Sequence, residues 1–97
     1  MRSPKLVNVP QGWRVSADGK QMSVEVKTKD FLDAIDLFEW ISDIAEDLEH
    51  HPDLHVEKYN HVRIVTYSHD VGHLTDRDEK LATLITQLLV HKKLLPG

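Results

Sequence analysis

The sequence predicts an α+β domain: a four-stranded antiparallel sheet with helices on one face, in the order β-β-α-β-β-α. Three observations carry this. Apolar and polar residues alternate strictly over 22–27, directly after an Asp18-Gly19 turn signal, which marks a half-buried strand closing a hairpin. Apolar residues then recur at three- and four-residue steps from Phe31 until Pro52 stops them, which marks a helix. A second such recurrence follows Thr75-Asp76-Arg77-Asp78, with two short strand candidates in between.

Each element has its own justification. Residues 1–9 contain Pro4 and little periodicity, so they read as an irregular arm on a single domain spanning 1–97. Trp13, Val15 and Ala17 alternate with Arg14 and Ser16, and a type I′ turn at Asp18-Gly19 would return the chain along Met22, Val24 and Val26. Asp30 is a fitting N-cap for the first helix, with Phe31, Ala34, Ile35, Phe38, Ile41, Ala45 and Leu48 as its apolar stripe. Pro52 disfavours helical geometry before it, so the helix should end between Glu49 and His51. Strands are expected near 54–58 and 61–68, joined at Tyr59-Asn60. The last helix opens on a capping box at Thr75 and buries Leu81, Leu84, Ile85, Leu88 and Leu89.

Composition narrows the function. Of 97 residues 40% are hydrophobic, enough for one small core. A net charge of −4 with interspersed signs gives no reason to expect nucleic acid or an anionic membrane as partner. With no cysteine there is neither a disulfide framework nor a thiolate nucleophile, which fits a reducing compartment. No apolar run approaches the ~20 residues of a membrane span, and no apolar segment follows the first basic residues. The expected setting is therefore the cytoplasm.

The chemistry concentrates on Glu46, His50-His51-Pro52, His69 and Asp78. Imidazoles titrate near neutral pH and can both give and take protons. Glu46 and His50 are i and i+4, so a carboxylate could fix that imidazole's tautomer. Plainer readings stand beside these. A double histidine at a helix end can simply cap a carbonyl and meet water, and Asp78 is also the third residue of the capping box. Glu46 could be an ordinary exposed carboxylate, and Trp13 by default a core anchor. His55, His61 and His91 read as surface residues, and His73 as a loop residue. A zinc site is disfavoured: adjacent histidines on a helix point about 100° apart, and Pro52 keeps His51 and His55 off one helix face.

The pattern of Glu46, His50-His51-Pro52, Tyr59, His69 and Asp78 resembles the signature of the pterin-4a-carbinolamine dehydratases. The likeness extends to Pro10-Gln11-Gly12-Trp13, Lys29-Asp30-Phe31, Tyr59-Asn60 with Val62, Gly72 with Leu74-Thr75, and Leu81-Ala82, covering about residues 10 to 90. Two departures are visible. The family's helix before the Gly-Trp pair is not matched by residues 1–9, and His73 stands where glycine is common. The resemblance implies dehydration of 4a-hydroxytetrahydropterins to quinonoid dihydropterins, in tetrahydropterin recycling, by a hydro-lyase with no cofactor and no metal. It implies a homodimer or homotetramer, with a small-molecule pterin as the partner. By position His50, His51 and His69 are the catalytic set, with His50 and His69 expected to transfer protons and His51 to bind substrate or assist the leaving hydroxyl. Glu46 and Asp78 would support them, and Trp13 and Pro52 would contact substrate. All three imidazoles are expected to line one cavity. The alternative is a protein-binding or dimerisation module of the same fold, alone or in addition, since some relatives of this family serve as such modules.

Overall fold

The computed structural model describes residues 8–97, so most of the expected arm lies outside the described residues, as does any helix preceding it. The order is β1 (Arg14–Val15), β2 (Gln21–Lys27), α1 (Phe31–Leu48), β3 (Asp53–Glu57), β4 (His61–Tyr67) and α2 (Asp76–His91), which is the predicted β-β-α-β-β-α. All strand pairs are antiparallel, in the spatial order β1-β2-β4-β3. The central pair runs in register from Gln21 opposite Tyr67 to Lys27 opposite His61.

Period-two alternation decides the faces. Met22, Val24 and Val26 on β2 and Val62 and Ile64 on β4 turn toward the helices and are buried. They meet Ala34, Leu37, Ile41 and Ala45 of α1 and Leu81, Ala82, Ile85 and Leu89 of α2 in one core. Asp30 caps α1, its side chain accepting from the Asp33 N–H, and the Thr75 capping box opens α2.

Four local expectations need correction. The hairpin turn is not type I′: among its residues only Gly19 has positive φ (71°), and Asp18 instead accepts from the Ser16 hydroxyl and the Lys20 N–H. Val15 is exposed and only Trp13 of the first alternating set is buried, because β1 is a two-residue edge pairing with β2 alone. On α1, Phe31 and Ile35 face solvent and Leu37 is buried. At 3.6 residues per turn those two lie roughly 60° to 100° around from Ala34, off the line that meets the sheet. On α2, Leu84 is exposed and Ala82 takes the inward position. The β3–β4 connection places Lys58 and Tyr59 consecutively in the left-handed region (φ 48° and 59°). Buried Asn60 anchors it by donating from Nδ2 to the Thr28 carbonyl at 2.9 Å. No helix among the described residues is long and apolar enough to cross a membrane.

Candidate active site

The double histidine is placed by how α1 ends. Glu49 takes φ 53° and closes a Schellman motif: its N–H donates to the Glu46 carbonyl at 3.2 Å, and the His50 N–H donates to the Ala45 carbonyl at 3.1 Å. The chain reverses there, so the two neighbouring imidazoles enter different surroundings. A one-residue difference in sequence becomes the difference between core and solvent.

His50 turns inward and is 8% exposed. Its Nε2 lies 2.7 Å from Asp78 Oδ1. Asp78 is 0% exposed, and its four close donors come from just past the end of α1, from β4 and the residue after it, and from the N-cap of α2. The Thr66 hydroxyl donates to Oδ1 at 2.6 Å, while the Ser68 hydroxyl and the Thr75 N–H donate to Oδ2 at 2.5 and 3.0 Å. Burial pushes the Asp78 carboxyl up, but the hydrogen bonds from Ser68, Thr66, His50 and Thr75 outweigh it and hold the group below its ordinary value. An ionised carboxylate only accepts, so His50 donates to it from Nε2. Asp78 is thus both the capping residue expected and the hub that joins α2 to β4 and to the end of α1.

His51 faces outward, its side chain 62% exposed, with Nε2 2.5 Å from Glu46 Oε2. The expected Glu46–His50 contact is therefore corrected. The helix stops at Leu48, and the reversal at Glu49 carries His50 off the face that Glu46 occupies and brings His51 onto it.

His69 follows the end of β4. Strand alternation continues past that end: Ser68 turns in to Asp78, and His69 turns out beside Tyr67. The two rings meet edge to face, with centroids 4.4 Å apart and planes at 76°. His69 stands on a cavity of about 480 Å³ lined also by Asp18, Lys20, Gln21, Asp53, Tyr67, Ser68 and Gly72. That volume suits a small heterocycle. His50 and His51 are not in its lining, so the three imidazoles do not share that cavity. Ser68 links the cavity to His50: it lines the cavity and donates to Asp78, whose other oxygen holds His50.

The remaining expected residues go elsewhere. Trp13 is 6% exposed, and its indole N–H donates to Thr86 Oγ1 at 2.7 Å. A buried indole needs such a partner, and finding it on α2 makes Trp13 a core anchor rather than a wall of the His69 cavity. Pro52 is half-buried between His51 and the start of β3. His55, His61, His73 and His91 are exposed; His61 Nε2 lies 3.2 Å from Glu25, and His73 Nδ1 2.9 Å from the Leu74 carbonyl. Among the described residues no three His, Asp or Glu side chains converge as metal ligands. Sequence reasoning missed Thr66, Ser68, Asp53 and Tyr67. For the two hydroxyls a signal existed, because alternation from Val62 and Ile64 puts residues 66 and 68 on the inward face, where they need a buried acceptor.

The sequence is similar over residues 2–88 to the family described as Pterin 4 alpha carbinolamine dehydratase. A relative from Saccharolobus islandicus, provisionally named a pterin-4-alpha-carbinolamine dehydratase, is 44% identical over 77 residues, which is 79% of this chain and 77% of its own. The mitochondrial pterin-4-alpha-carbinolamine dehydratase 2 of Arabidopsis thaliana is 37% identical over 81 residues, 81% of this chain and 43% of its own. Among solved structures, a transcriptional coactivator/pterin dehydratase from Brucella melitensis aligns with a TM-score of 0.73 at 27% identity, covering 80% of this chain and 82% of that one.

Proposed function

The chain belongs to the pterin-4a-carbinolamine dehydratase family, and from that premise we propose that it dehydrates 4a-hydroxytetrahydropterins by histidine acid–base catalysis. The step removes the 4a hydroxyl and the N5 proton as one water and leaves the quinonoid dihydropterin. It needs an acid to protonate a poor leaving group and a base to accept a proton from nitrogen, each contributing about 10² to 10⁴-fold in rate.

The observation that carries this reading is that each imidazole of the pair has its own carboxylate, Asp78 for His50 and Glu46 for His51. In both cases Nε2 faces the carboxylate, so in the neutral ring that donates there Nδ1 is the nitrogen that carries the lone pair. We assign the proton transfers to the two exposed rings. His51, with its tautomer fixed by Glu46, takes the N5 proton, and His69 protonates the departing hydroxyl. His50, committed to Asp78 at Nε2 and nearly buried, orients substrate through Nδ1 instead of transferring protons. Substrate closure between the His51 edge and the His69 cavity is part of the same proposal, as are turnover of the pterin pool left by hydroxylation and assembly into a dimer or tetramer.

The test is turnover of chemically prepared carbinolamine. The wild-type protein should accelerate its loss, and a His51→Ala/His69→Ala double variant should fall to the buffer rate while remaining folded by circular dichroism. A wild-type rate equal to buffer contradicts the proposal. A second reading, a protein-binding module, draws support from the exposed apolar residues Phe31, Leu32, Ile35 and Trp40 on α1. It also draws on the Brucella neighbour, whose name includes a coactivator role. Recovery of a specific protein partner, with turnover at the buffer rate, would favour it.

A further inference from the structure

His50 and His51 are each oriented by a carboxylate; among the described residues no hydrogen bond orients His69. Its fixed contact is the Tyr67 ring, 4.4 Å away and nearly perpendicular. Tyr67 is itself held, its O–H donating to Asp53 Oδ1 at 2.8 Å across the β3–β4 pair. Both Tyr67 and Asp53 line the cavity on which His69 stands. The hydrogen bond to Asp53, then burial, push the Tyr67 hydroxyl above its ordinary value, so it stays a neutral donor wherever the dehydration would operate.

We propose that Tyr67, pinned by Asp53, is the positioning residue for His69: its ring edge fixes the imidazole plane so that a ring nitrogen meets the substrate in the cavity. This rests on the reading that His69 moves a proton. The geometry favours an indirect role. The phenol O–H is already committed to Asp53, so what Tyr67 offers His69 is a rigid aromatic surface. Among the described residues no hydrogen bond restricts the rotation of this side chain just beyond a strand end, and misplacing a catalytic group by about 1 Å can cost on the order of 10²-fold in rate.

The experiment measures kcat and KM for Tyr67→Phe, Tyr67→Ala and Asp53→Asn, with Tyr67→Ala repeated in a His69→Ala background. The His69 imidazole C–H resonances are recorded by NMR for each protein. Tyr67→Ala should lower kcat by roughly 10- to 100-fold with KM changed by less than about threefold, since the loss lies in orientation and not in binding. Tyr67→Phe should recover most of the rate, because the ring contact survives, and Asp53→Asn should fall between. In the His69→Ala background, removing the Tyr67 ring should cost nothing more. The imidazole resonances should show a ring-current displacement in the wild type and in Tyr67→Phe that vanishes in Tyr67→Ala. The positioning role is overturned if Tyr67→Ala keeps the wild-type kcat, if its full loss persists without His69, or if the resonances do not move. Should Tyr67→Ala fail to fold, the resonances and kcat of Tyr67→Phe and Asp53→Asn decide, and resonances in the wild type without ring-current displacement overturn the proposal. A wild-type rate in His69→Ala alone points to a different failure, that of the proton-transfer reading on which this rests.

Discussion

His50 and His51 are sequence neighbours, and each meets a carboxylate through Nε2, yet one pair is almost wholly buried and the other stands in water. The side chains of His50 and Asp78 are 9% and 0% exposed, against 62% and 73% for His51 and Glu46. The difference teaches where structure and chemistry divide. A buried pair is costly to break because the remaining group has no water to turn to. An exposed pair contributes little to stability, since solvent competes for both partners. Its value lies in orientation and in access to a ligand. The Schellman reversal at Glu49 is the physical device that separates the two.

This contrast can be broken most severely at its buried end. Asp78→Ala removes the acceptor for Thr66, Ser68, Thr75 and His50 at once and should cost about 3–5 kcal/mol of unfolding free energy, measured in urea. His50→Ala takes away one charge-assisted bond of the four and should cost about 1.5–3 kcal/mol. Acid sharpens the same point. A carboxyl held below its unfolded value, near 3.9, stabilises the fold at pH above that value, and the contribution is lost as pH falls through the folded value. Wild-type stability should therefore drop as the pH is lowered below about 4, and Asp78→Asn should show a shallower dependence over that range. Glu49→Gly should raise stability by about 0.5–1 kcal/mol, because a non-glycine residue bears the cost of the left-handed C′ position. At the exposed end, His51→Ala should shift stability by less than about 1 kcal/mol.

Much of the fold was legible because its signals are periodic. Met22-Val24-Val26 reads as a strand face, Thr75 with Asp78 as a capping box, and Pro52 as a helix stop, and each depends on neighbours only a few residues away. Periodicity does not fix the lateral position of a stripe, which is why Phe31 and Ile35 lie outside the buried face of α1 and Leu37 lies on it. The turn at Asp18-Gly19 departs from type I′ because pairing ends at Val15 opposite Met22, and a dipeptide signal does not count the residues that the strands leave unpaired. At the candidate site the sequence singles out Glu46, His50, His51 and Asp78 and does not give their pairings. Which carboxylate meets which histidine depends on one backbone residue, Glu49, entering a conformation that glutamate rarely adopts. Ser68 and Thr66 matter only because Asp78, ten and twelve residues further on, folds back beneath them. Trp13 fits its default reading as a core anchor, because its indole N–H finds Thr86 across the core, and the substrate contact implied for it by the resemblance is not met in the lining of the His69 cavity.

The measurement that bears most directly on the account is the dehydration rate of His51→Ala on carbinolamine substrate, taken with its urea midpoint on the same sample. The predicted result is a rate lowered by about 10²-fold or more with the midpoint essentially unmoved. A rate equal to that of the wild type would contradict it, whatever the midpoint.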